Sequence, residues 1–411
     1  MPQLWDLIVV GAGPAGSAAA LSALRVRPGA SVLLVDRADF PRDKPCGDGI
    51  APHVLDVLSR LGVDDVVADH RPVSRLTIGY PTGVGAAASG LMARPARVVP
   101  RAVFDARLVA AACAAGAVLR RQTVRSVDVH PDRVVLDGAL SARTVVAADG
   151  AGSTVRRRLG LPVNDPGHLA VAIRGYAPVR ADLAGEQRIT LGREDWPEYA
   201  WSFPVGDGRA NIGYGAVLRG GRPLTRARLL GRLDELLPGV SPDAQSWRAH
   251  HLPLSSGRPR QPDGRVLLVG DALSLVNPMT GEGIYYAVLS GACAGAAAVR
   301  AAVGPGARDG TGAPGGPGAT YRQQLRRRLG RHLRHTTTAA ALARRPWVVD
   351  AALRGAARHP DAFDALVELG LGEGLLTPRA LLATAAGLPA GLPAGLPASR
   401  RVDLPAGRRA G

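Results

Sequence analysis

The sequence predicts an α/β fold: a Rossmann-like domain with an inserted antiparallel sheet and a C-terminal helical region. Residues 6–10 form a short apolar run typical of a buried parallel strand, and a glycine-rich turn and an alanine-rich helix follow it. A second apolar strand at 31–36 completes a βαβ unit. Residues 166–254 differ, because apolar–polar alternation and a hairpin signal at 206–208 indicate antiparallel strands.

Composition narrows the class of protein. The 411 residues are 46% hydrophobic, which excludes a wholly disordered chain. The net charge of +17 comes almost entirely from arginine, since Lys44 is the only lysine. We interpret this excess as a compositional bias and expect no nucleic-acid partner, because no nucleic-acid-binding motif accompanies it. Three cysteines and no secretory leader indicate a reducing compartment, and we expect a cytoplasmic protein.

The glycine-rich turn after the first strand has the spacing of a dinucleotide-binding motif. Gly11 permits the tight turn, Gly13 lets a phosphate approach the backbone, and Gly16 lets the helix pack closely. The N-terminus of that helix then directs N–H groups and partial positive charge at a pyrophosphate. Asp36, at the end of the second strand, is placed to hold ribose hydroxyls. The motif predicts a bound adenine dinucleotide, either NAD or FAD.

Two later segments favour FAD. Residues 147–160 and 264–291, taken with the N-terminal turn, resemble the FAD-containing superfamily of aromatic hydroxylases, flavin-dependent halogenases and prenyl reductases. The resemblance implies a DG element beside the pyrophosphate and a GD element whose aspartate accepts a hydrogen bond from the ribityl chain. These elements are Asp149, Gly150, Gly270 and Asp271.

The same resemblance implies that a turn starts a helix whose N-terminal N–H groups face the N1–O2 edge of the flavin. The residues of this turn and helix start are Pro278, Gly281, Gly283 and Ile284. The expected cofactor contacts also include Arg101, before a helix, and Val124, on the strand that follows it. Ala15 and Arg37 complete the expected cofactor-binding set, and no metal site is expected.

Residues 40–50 (FPRDKPCGDGI) carry a narrower marker. They resemble the DKPCG(D/G)G stretch of the geranylgeranyl reductase family, which includes archaeal lipid and actinobacterial menaquinone prenyl reductases. The resemblance implies that Cys46 and Gly47 lie against the isoalloxazine ring and that Asp48 continues the loop. A thiol is mostly protonated at neutral pH, so Cys46 is either a proton donor or an element of shape beside the flavin.

Residues 197–217 carry the second marker and resemble the Y-x-W-x-F-P…N-x-G-x-G block of the prenyl reductases. Tyr199, Trp201 and Phe203 alternate along one strand, so all three face the same side. Such a stripe is either an ordinary sheet core or the wall of an apolar tunnel. With the family match, we assign these three residues and Cys46 to the catalytic and substrate-contacting set.

The function implied by these markers is that of an FAD-dependent reductase. It would saturate C=C bonds of an isoprenoid chain, in a geranylgeranyl lipid or a prenylated quinone, by hydride transfer from reduced flavin. The alternative is an FAD-dependent monooxygenase acting on an apolar specialised metabolite. No second glycine-rich turn follows a strand, so NAD(P)H would bind transiently near the flavin, or an external electron carrier would donate instead.

The expected domain boundaries follow from these segments. The FAD-binding domain is expected at residues 1–75, 99–165 and 257–303, and the substrate domain at residues 76–98 and 166–256. A flexible linker at 304–318, C-terminal helices at 319–385 and a low-complexity tail at 386–411 complete the chain. The arginine-dense segment 321–336, with Arg344 and Arg345, is either a solvated helix face or a peripheral contact with anionic lipid at the inner face of the cell membrane.

Overall fold

The computed structural model describes residues 3–81, 85–219, 224–301 and 316–388. Its strands are β1 (Leu4–Val10), β2 (Val32–Asp36), β3 (Gly49–Ile50), β4 (Pro72–Gly79), β5 (Ala87–Val98), β6 (Val118–Arg121), β7 (Val127–Val129), β8 (Val134–Leu136), β9 (Leu140–Ala147), β10 (Leu169–Pro178), β11 (Glu186–Leu191), β12 (Glu198–Pro204), β13 (Arg209–Val217), β14 (Gln245–Pro253) and β15 (Val266–Leu268). Its α-helices are α1 (Pro14–Val26), α2 (Pro52–Leu61), α3 (Arg101–Ala114), α4 (Thr154–Arg158), α5 (Arg226–Leu236), α6 (Ile284–Ala301), α7 (Pro317–Leu342), α8 (Pro346–Arg358), α9 (Pro360–Leu371) and α10 (Pro378–Ala386).

The first sheet is mostly parallel and has the order β6-β2-β1-β9-β8-β7, with β15 also paired to β9. β1 lies between β2 and β9 and runs parallel to both. Its residues 7–10 are all buried, as expected for a strand covered on both faces. The carboxyl ends of β1, β2, β9 and β15 therefore meet at one edge of the sheet, which is where ligands bind in folds of this class.

Helices α1 and α6 pack against each other through small residues. A Cβ on Gly291 would lie 2.0 Å from the carbonyl oxygen of Ala15, and one on Gly295 would lie 2.0 Å from that of Ala19. From the first contact to the second, the chain advances by four residues in both helices, so the helices run parallel. Their N-termini consequently lie together, at the edge where the parallel strands end, and both helix dipoles present their positive ends there.

The second sheet has eight strands in the order β14-β10-β13-β12-β11-β4-β5-β3. The expected hairpin is confirmed, since β12 and β13 pair antiparallel across residues 205–208. One neighbouring pair, β4 and β11, is parallel. The expected antiparallel sheet is confirmed, and β4–β11 is the exception among its described strand pairs. The two strands come from distant segments, so no hairpin fixes their relative direction.

Two parts of the expected segmentation differ from the structure. β3 and the start of β4 belong to the second sheet although they fall within residues 1–75. Two-residue strands have no periodic signal in the sequence, which is why β3 was not expected. Helix α7 begins at Pro317, inside the expected linker. Residues 304–315 of that linker and residues 389–411 of the expected tail lie outside the described residues.

The C-terminal helices cover the junction of the two sheets. α7 packs on α6, and α8 and α9 pack on β5. A buried chain of hydrogen bonds connects the segment after α9 to α6. Asn277 Nδ2 donates to Tyr286 Oη, on α6, at 3.0 Å. His332 Nδ1, on α7, bonds the carbonyl of Gly374, after α9, at 2.7 Å. Tyr286 Oη and His332 Nε2 complete the chain at 2.7 Å. None of the helices in the described part of the chain combines the length and hydrophobicity that crossing a membrane requires.

Candidate functional site

A cavity of about 850 Å³ lies where the edge of the first sheet meets the face of the second. Most of the residues that the sequence predicted for the site form its wall: Gly11, Gly13, Ala15, Asp36, Arg37, Cys46, Gly47, Arg101, Val124, Asp149, Gly150, Tyr199, Trp201, Phe203, Asp271, Gly281, Gly283 and Ile284. The fold therefore brings together residues from opposite ends of the chain. Four predicted residues do not line the cavity: Gly16, Asp48, Gly270 and Pro278.

The three glycines of the first turn have different structural roles. A Cβ on Gly16 would lie 1.8 Å from the carbonyl oxygen of Gly11, and one on Gly11, whose φ is +99°, would lie 2.4 Å from the carbonyl oxygen of Ala148. Both glycines are required by close backbone packing. A Cβ on Gly13 would meet only the guanidinium of Arg42, at 3.5 Å, and that of Arg101, at 4.0 Å. Gly13 thus leaves open space between the helix N-terminus and two cations.

A buried carboxylate fixes these two cations. Asp105, which is fully buried, accepts hydrogen bonds from Arg101 Nε at 2.7 Å and Nη2 at 2.8 Å. The same carboxylate lies 3.1 Å from Arg42 Nη1. One carboxylate therefore holds two guanidinium groups beside the first turn of α1, and Arg42 Nη2 also lies 4.0 Å from Asp36 Oδ2. Sequence reasoning missed Arg42 and Asp105, because neither has a local motif that distinguishes it from other arginines and aspartates.

Asp36 lines the end of the cavity that is next to α1. Its carboxylate accepts the N–H groups of Ala12 at 2.8 Å and Ala38 at 3.0 Å. A carboxylate has about four lone-pair sites, so two remain for a ligand. Val124 lines this end too, but the expectation that it lies on a strand is wrong: β6 ends at Arg121 and Val124 follows in a loop. Strand boundaries are the least certain part of a sequence pattern.

The DG element and the aspartate of the GD element lie in the middle of the wall. Asp149 accepts hydrogen bonds from Ser153 Oγ at 2.6 Å and from the N–H of Val155 at 3.1 Å, so it caps the short helix α4 as well as lining the cavity. Asp271 lies 3.4 Å from Lys44 Nζ. Beside this pair, His250 Nε2 is buried and has no hydrogen-bond partner in the described residues. Burial lowers the pKa of His250 to about 4, so the imidazole is neutral at pH 7.

Cys46 and Gly47 form the loop at the other end of the cavity, and Asp48 anchors that loop from behind. The Asp48 carboxylate is fully buried and accepts hydrogen bonds from Tyr176 Oη and, at 2.8 Å, from Asn211 Nδ2. Burial raises the pKa of Asp48 to about 6. The expectation that Asp48 contacts the cofactor is therefore corrected. Its side chain is turned away from the cavity because three donors, including the N–H of Arg101 at 3.3 Å, hold it there.

The aromatic stripe faces the Cys46 loop. Tyr199, Trp201 and Phe203 share one face of β12, and the ring centroids of neighbouring members lie 5.8 and 6.5 Å apart. A Cβ on Gly47 would lie 3.4 Å from the Phe203 ring and 3.5 Å from Trp201 Nε1. Gly47 therefore leaves a narrow gap between loop and stripe. Tyr199 Oη donates to the carbonyl of Thr280 at 2.5 Å, which joins the stripe to the turn before α6.

Beyond the stripe the cavity wall is mostly apolar, although Gln187 of β11 also lines the cavity. The apolar side chains there come from the second sheet and from α9, namely Leu76, Ile78, Ile189, Leu366, Val367 and Leu371. The sequence predicted helices in this region, but it did not indicate that one of them lines the cavity. An amphipathic helix has the same pattern whether it covers a core or a cavity, so no signal could have shown that α9 closes this end.

Comparisons with known proteins agree with this geometry. Residues 5–292 match the FAD binding domain family. The chain is 35% identical over 309 residues to a menaquinone reductase from Mycolicibacterium smegmatis, covering 70% of this chain and 74% of that protein. It is 33% identical over 315 residues to digeranylgeranylglycerophospholipid reductase 2 from Methanopyrus kandleri, covering 72% of this chain and 77% of that protein.

This chain belongs to the geranylgeranyl reductase family of FAD-dependent oxidoreductases. A solved structure of a geranylgeranyl bacteriochlorophyll reductase-like protein from Thermoplasma acidophilum has the same fold. Its TM-score is 0.71 at 23% identity, covering 94% of this chain and 96% of that chain.

The residues of the cavity fit FAD, the cofactor of the geranylgeranyl reductase family. The open space at Gly13 faces both a helix N-terminus with no side-chain cap and the cations Arg42 and Arg101, as a pyrophosphate requires. The free acceptor sites of Asp36 suit ribose hydroxyls. At the other end, the Cys46 loop and the start of α6 line the same cavity, so a backbone loop and a helix N-terminus face the space left for the ring.

Two ionisable groups in this wall have altered acidity. Burial raises the pKa of the Cys46 thiol, with Arg101 opposing the shift, so Cys46 carries its proton at neutral pH. Burial also raises the pKa of Glu282 to about 7, against the effect of the N–H groups at the start of α6. Glu282 also lines the cavity. The sequence did not reveal it, because in this turn only the proline, the glycines and the first helical residue were expected to contact the cofactor.

Proposed function

We propose that this enzyme saturates C=C bonds of an isoprenoid chain, using FAD as its redox cofactor. The observation that carries the proposal is the continuity of the cavity from the Cys46 loop, past the aromatic stripe, into the apolar arm closed by α9. Relatives named for reduction of menaquinone and of digeranylgeranylglycerophospholipids support an isoprenoid substrate. Such a chain would be held by burial of its apolar surface, at about 25 cal/mol per Å².

Reduced flavin, when bound, supplies a hydride to one carbon of the alkene. The second carbon needs a proton, and we assign that proton to the Cys46 thiol. The raised pKa of Cys46 keeps the thiol protonated, and Asn211 Nδ2 holds the loop by donating to the Cys46 carbonyl at 2.8 Å. Tyr199, Trp201 and Phe203 would press the alkene toward the loop and exclude water from it.

For the source of electrons, we propose either NAD(P)H bound transiently near the flavin or an external electron carrier. The turn with dinucleotide-binding spacing contributes Gly11 and Gly13 to the cavity wall, and the cofactor's own pyrophosphate would occupy it. A nicotinamide cofactor would therefore have to approach from the open part of the cavity. Stopped-flow mixing of the purified enzyme with NADH or NADPH, followed by flavin absorbance, tests this: bleaching identifies the donor, and an unchanged spectrum points to a carrier.

The reaction itself is tested without oxygen. The purified holoenzyme is reduced with dithionite and offered a prenylated quinone or a geranylgeranyl lipid, and products are analysed by mass spectrometry. A product heavier by two hydrogens per turnover supports the reductase. A product that forms only with oxygen and is heavier by one oxygen atom overturns it in favour of a monooxygenase.

The role of Cys46 is tested by Cys46→Ser, with Cys113→Ser as the matched control. Cys113 is a free cysteine on α3 that does not line the cavity. We expect Cys46→Ser to retain FAD and to lose turnover, because the hydroxyl is a far weaker acid than the thiol, while Cys113→Ser keeps both. Normal turnover in Cys46→Ser with normal flavin content would exclude Cys46 as the proton donor.

We also propose that α7 and the segment after it contact an anionic membrane surface, since the expected substrate is a lipid. Seven exposed arginines support this surface: Arg326, Arg327, Arg328, Arg331, Arg334, Arg344 and Arg345. Residues 317–346 contain no aspartate or glutamate. Leu342 and Trp347, which are 44% and 49% exposed, flank Arg344 and Arg345 in the sequence. Cations beside an exposed tryptophan are typical of interfacial surfaces.

A further inference from the structure

Glu282 is a carboxyl group in the cavity wall for which the proposed reaction has no role yet. It lies in the turn before α6, between Gly281, whose φ is +71°, and Gly283. One of its oxygens, Oε1, accepts the N–H of Tyr285 at 2.8 Å. The N–H groups of Gly283 and Ile284 also act on this carboxylate, and the described residues form no ion pair with it.

The groups that face Glu282 come from five elements. Cys46 and Tyr199 face it from the loop before β3 and from β12, and Tyr286 faces it from α6. Arg101 faces it from α3, and Asp271, from the turn after β15, lies close to the adjacent Gly283. Asp271 is paired with Lys44, so Arg101 is the main cation that acts on Glu282, and Arg101 is itself neutralised by Asp105.

These surroundings leave Glu282 poised between two protonation states. Burial favours the neutral acid, whereas the N–H groups at the start of α6 and the charge of Arg101 favour the carboxylate. The balance puts the pKa of Glu282 at about 7 when the cavity holds no added charge. Any new negative charge in this part of the cavity would shift the balance toward the neutral acid. Two-electron reduction adds such a charge to a flavin, because the reduced ring is anionic at neutral pH.

The geometry points to Glu282 as the proton-holding group of the cavity, which takes up one proton when the bound flavin is reduced and releases it when the flavin is reoxidised. In the balanced step, a two-electron reductant supplies two electrons, the flavin gains them with one proton, and the Glu282 carboxylate gains a second proton. When an alkene reoxidises the flavin, hydride goes to one carbon and a proton to the other. The Cys46 thiol gives the substrate this proton, and the proton that Glu282 releases restores the thiol, so protons and charges balance.

This inference needs FAD but no particular substrate, so its test is independent of the proposed isoprenoid reaction. The holoenzyme and Glu282→Gln are titrated anaerobically with a mediator dye, and the flavin midpoint potential is measured from pH 7 to pH 8.5. Glutamine keeps the oxygen that accepts the Tyr285 N–H but cannot take up a proton. Each proton gained with two electrons adds about 30 mV per pH unit, because a tenfold change in equilibrium constant is about 30 mV for a two-electron couple.

We expect the slope for the unmodified protein to exceed that for Glu282→Gln by about 30 mV per pH unit over part of this range. Glu373→Gln is the matched control, because Glu373 accepts a hydrogen bond from Tyr285 Oη near the same turn but does not line the cavity. The potential of Glu373→Gln should change with pH as steeply as that of the unmodified protein. Equal slopes in all three proteins would overturn the inference.

A second measurement needs no variant and covers the case in which Glu282→Gln fails to keep FAD. Redox-difference infrared spectra of the unmodified holoenzyme at pH 8 should show a protonated carboxylic C=O band on reduction, with a shift in D₂O. The absence of such a band would also contradict the assignment. Loss of substrate turnover alone would bear on the proposed function and not on this proton.

Discussion

The indole Nε1 of Trp201 donates a hydrogen bond to Oδ1 of Asn211 at 2.9 Å. The amide nitrogen of the same Asn211 donates to the Cys46 carbonyl and to Asp48 Oδ2, both at 2.8 Å. A planar amide cannot rotate to follow one partner without losing the others. The position of the Trp201 ring in the aromatic stripe and the position of the Cys46 loop are therefore coupled through one buried side chain.

Replacing this amide should disturb both walls of the gap at once. We expect Asn211→Ala to lower the free energy of unfolding by about 1–3 kcal/mol, because it leaves Trp201 Nε1 and the Cys46 carbonyl without their partner. We also expect a fall in turnover and weaker substrate binding. Asn164→Ala is the control, since Asn164 is a buried asparagine that bonds the carbonyls of His168 and Leu254 away from the cavity. The coupling would be contradicted if Asn211→Ala and Asn164→Ala lost the same stability and Asn211→Ala kept normal turnover and substrate binding.

The two glycines Gly13 and Gly16 should respond oppositely to alanine. Gly16→Ala places a methyl group 1.8 Å from a backbone oxygen, so we expect the protein to fold poorly or not at all. Gly13→Ala meets only the flexible ends of Arg42 and Arg101, so the apoprotein should unfold at a normal denaturant concentration. Its methyl group would occupy space expected for the pyrophosphate, and FAD affinity should fall tenfold or more, about 1.4 kcal/mol.

Fluorescence titration with FAD and urea unfolding of the apoprotein measure these two effects separately. Gly185→Ala is the control, because a Cβ at that position meets nothing within 4 Å. Unchanged FAD affinity in Gly13→Ala would show that the pyrophosphate lies elsewhere.

The buried Asp48 predicts an unusual pH dependence of stability. Burial raises its pKa from 3.8 to about 6 in the folded protein. Between about pH 4 and pH 6 the folded state holds a proton that the unfolded state has released, so this group makes the free energy of unfolding fall as the pH rises. The difference between the two pKa values corresponds to at most about 3 kcal/mol.

Asp48→Asn removes this titration, and asparagine tolerates the φ of +60° at this position. We expect the free energy of unfolding of Asp48→Asn, minus that of the unmodified protein, to increase between pH 4 and pH 7. Asp137→Asn should show the opposite sign and only below its ordinary pKa of 3.8, because the N–H groups of Arg125 and Ser126 outweigh burial and lower the pKa of Asp137. Urea unfolding at a series of pH values measures both, and parallel curves for Asp48→Asn and the unmodified protein would contradict the prediction.

The sequence predicted those parts of the fold and of the candidate site that depend on neighbouring residues. The βαβ unit, the turn at Gly11 to Gly16, the hairpin at 206–208 and the helix start at Ile284 all have local signals. Backbone conformation and side-chain alternation are set within a few residues, so a pattern can reveal them.

The parts that the sequence did not predict depend on contacts between distant segments. Asp105 acquires its role by neutralising Arg42, which lies 63 positions away in the chain. Asp48 turns away from the cavity because Tyr176 and Asn211, on strands far away in the chain, hold its carboxylate. Glu282 becomes a titrating group only because the folded protein buries it. These roles come from tertiary packing, which no spacing rule within one segment contains.

Binding to an anionic membrane surface should depend on the arginines after α7. Each arginine near such a surface contributes about 1 kcal/mol, so Arg344→Gln with Arg345→Gln should weaken partition onto phosphatidylglycerol vesicles about thirtyfold. Arg120→Gln with Arg125→Gln removes two exposed arginines elsewhere and should leave partition nearly unchanged. Because the interaction is electrostatic, binding should weaken as salt rises. Sedimentation with vesicles measures all three proteins, and salt-independent binding or an equal effect of both double variants would place the contact on another surface.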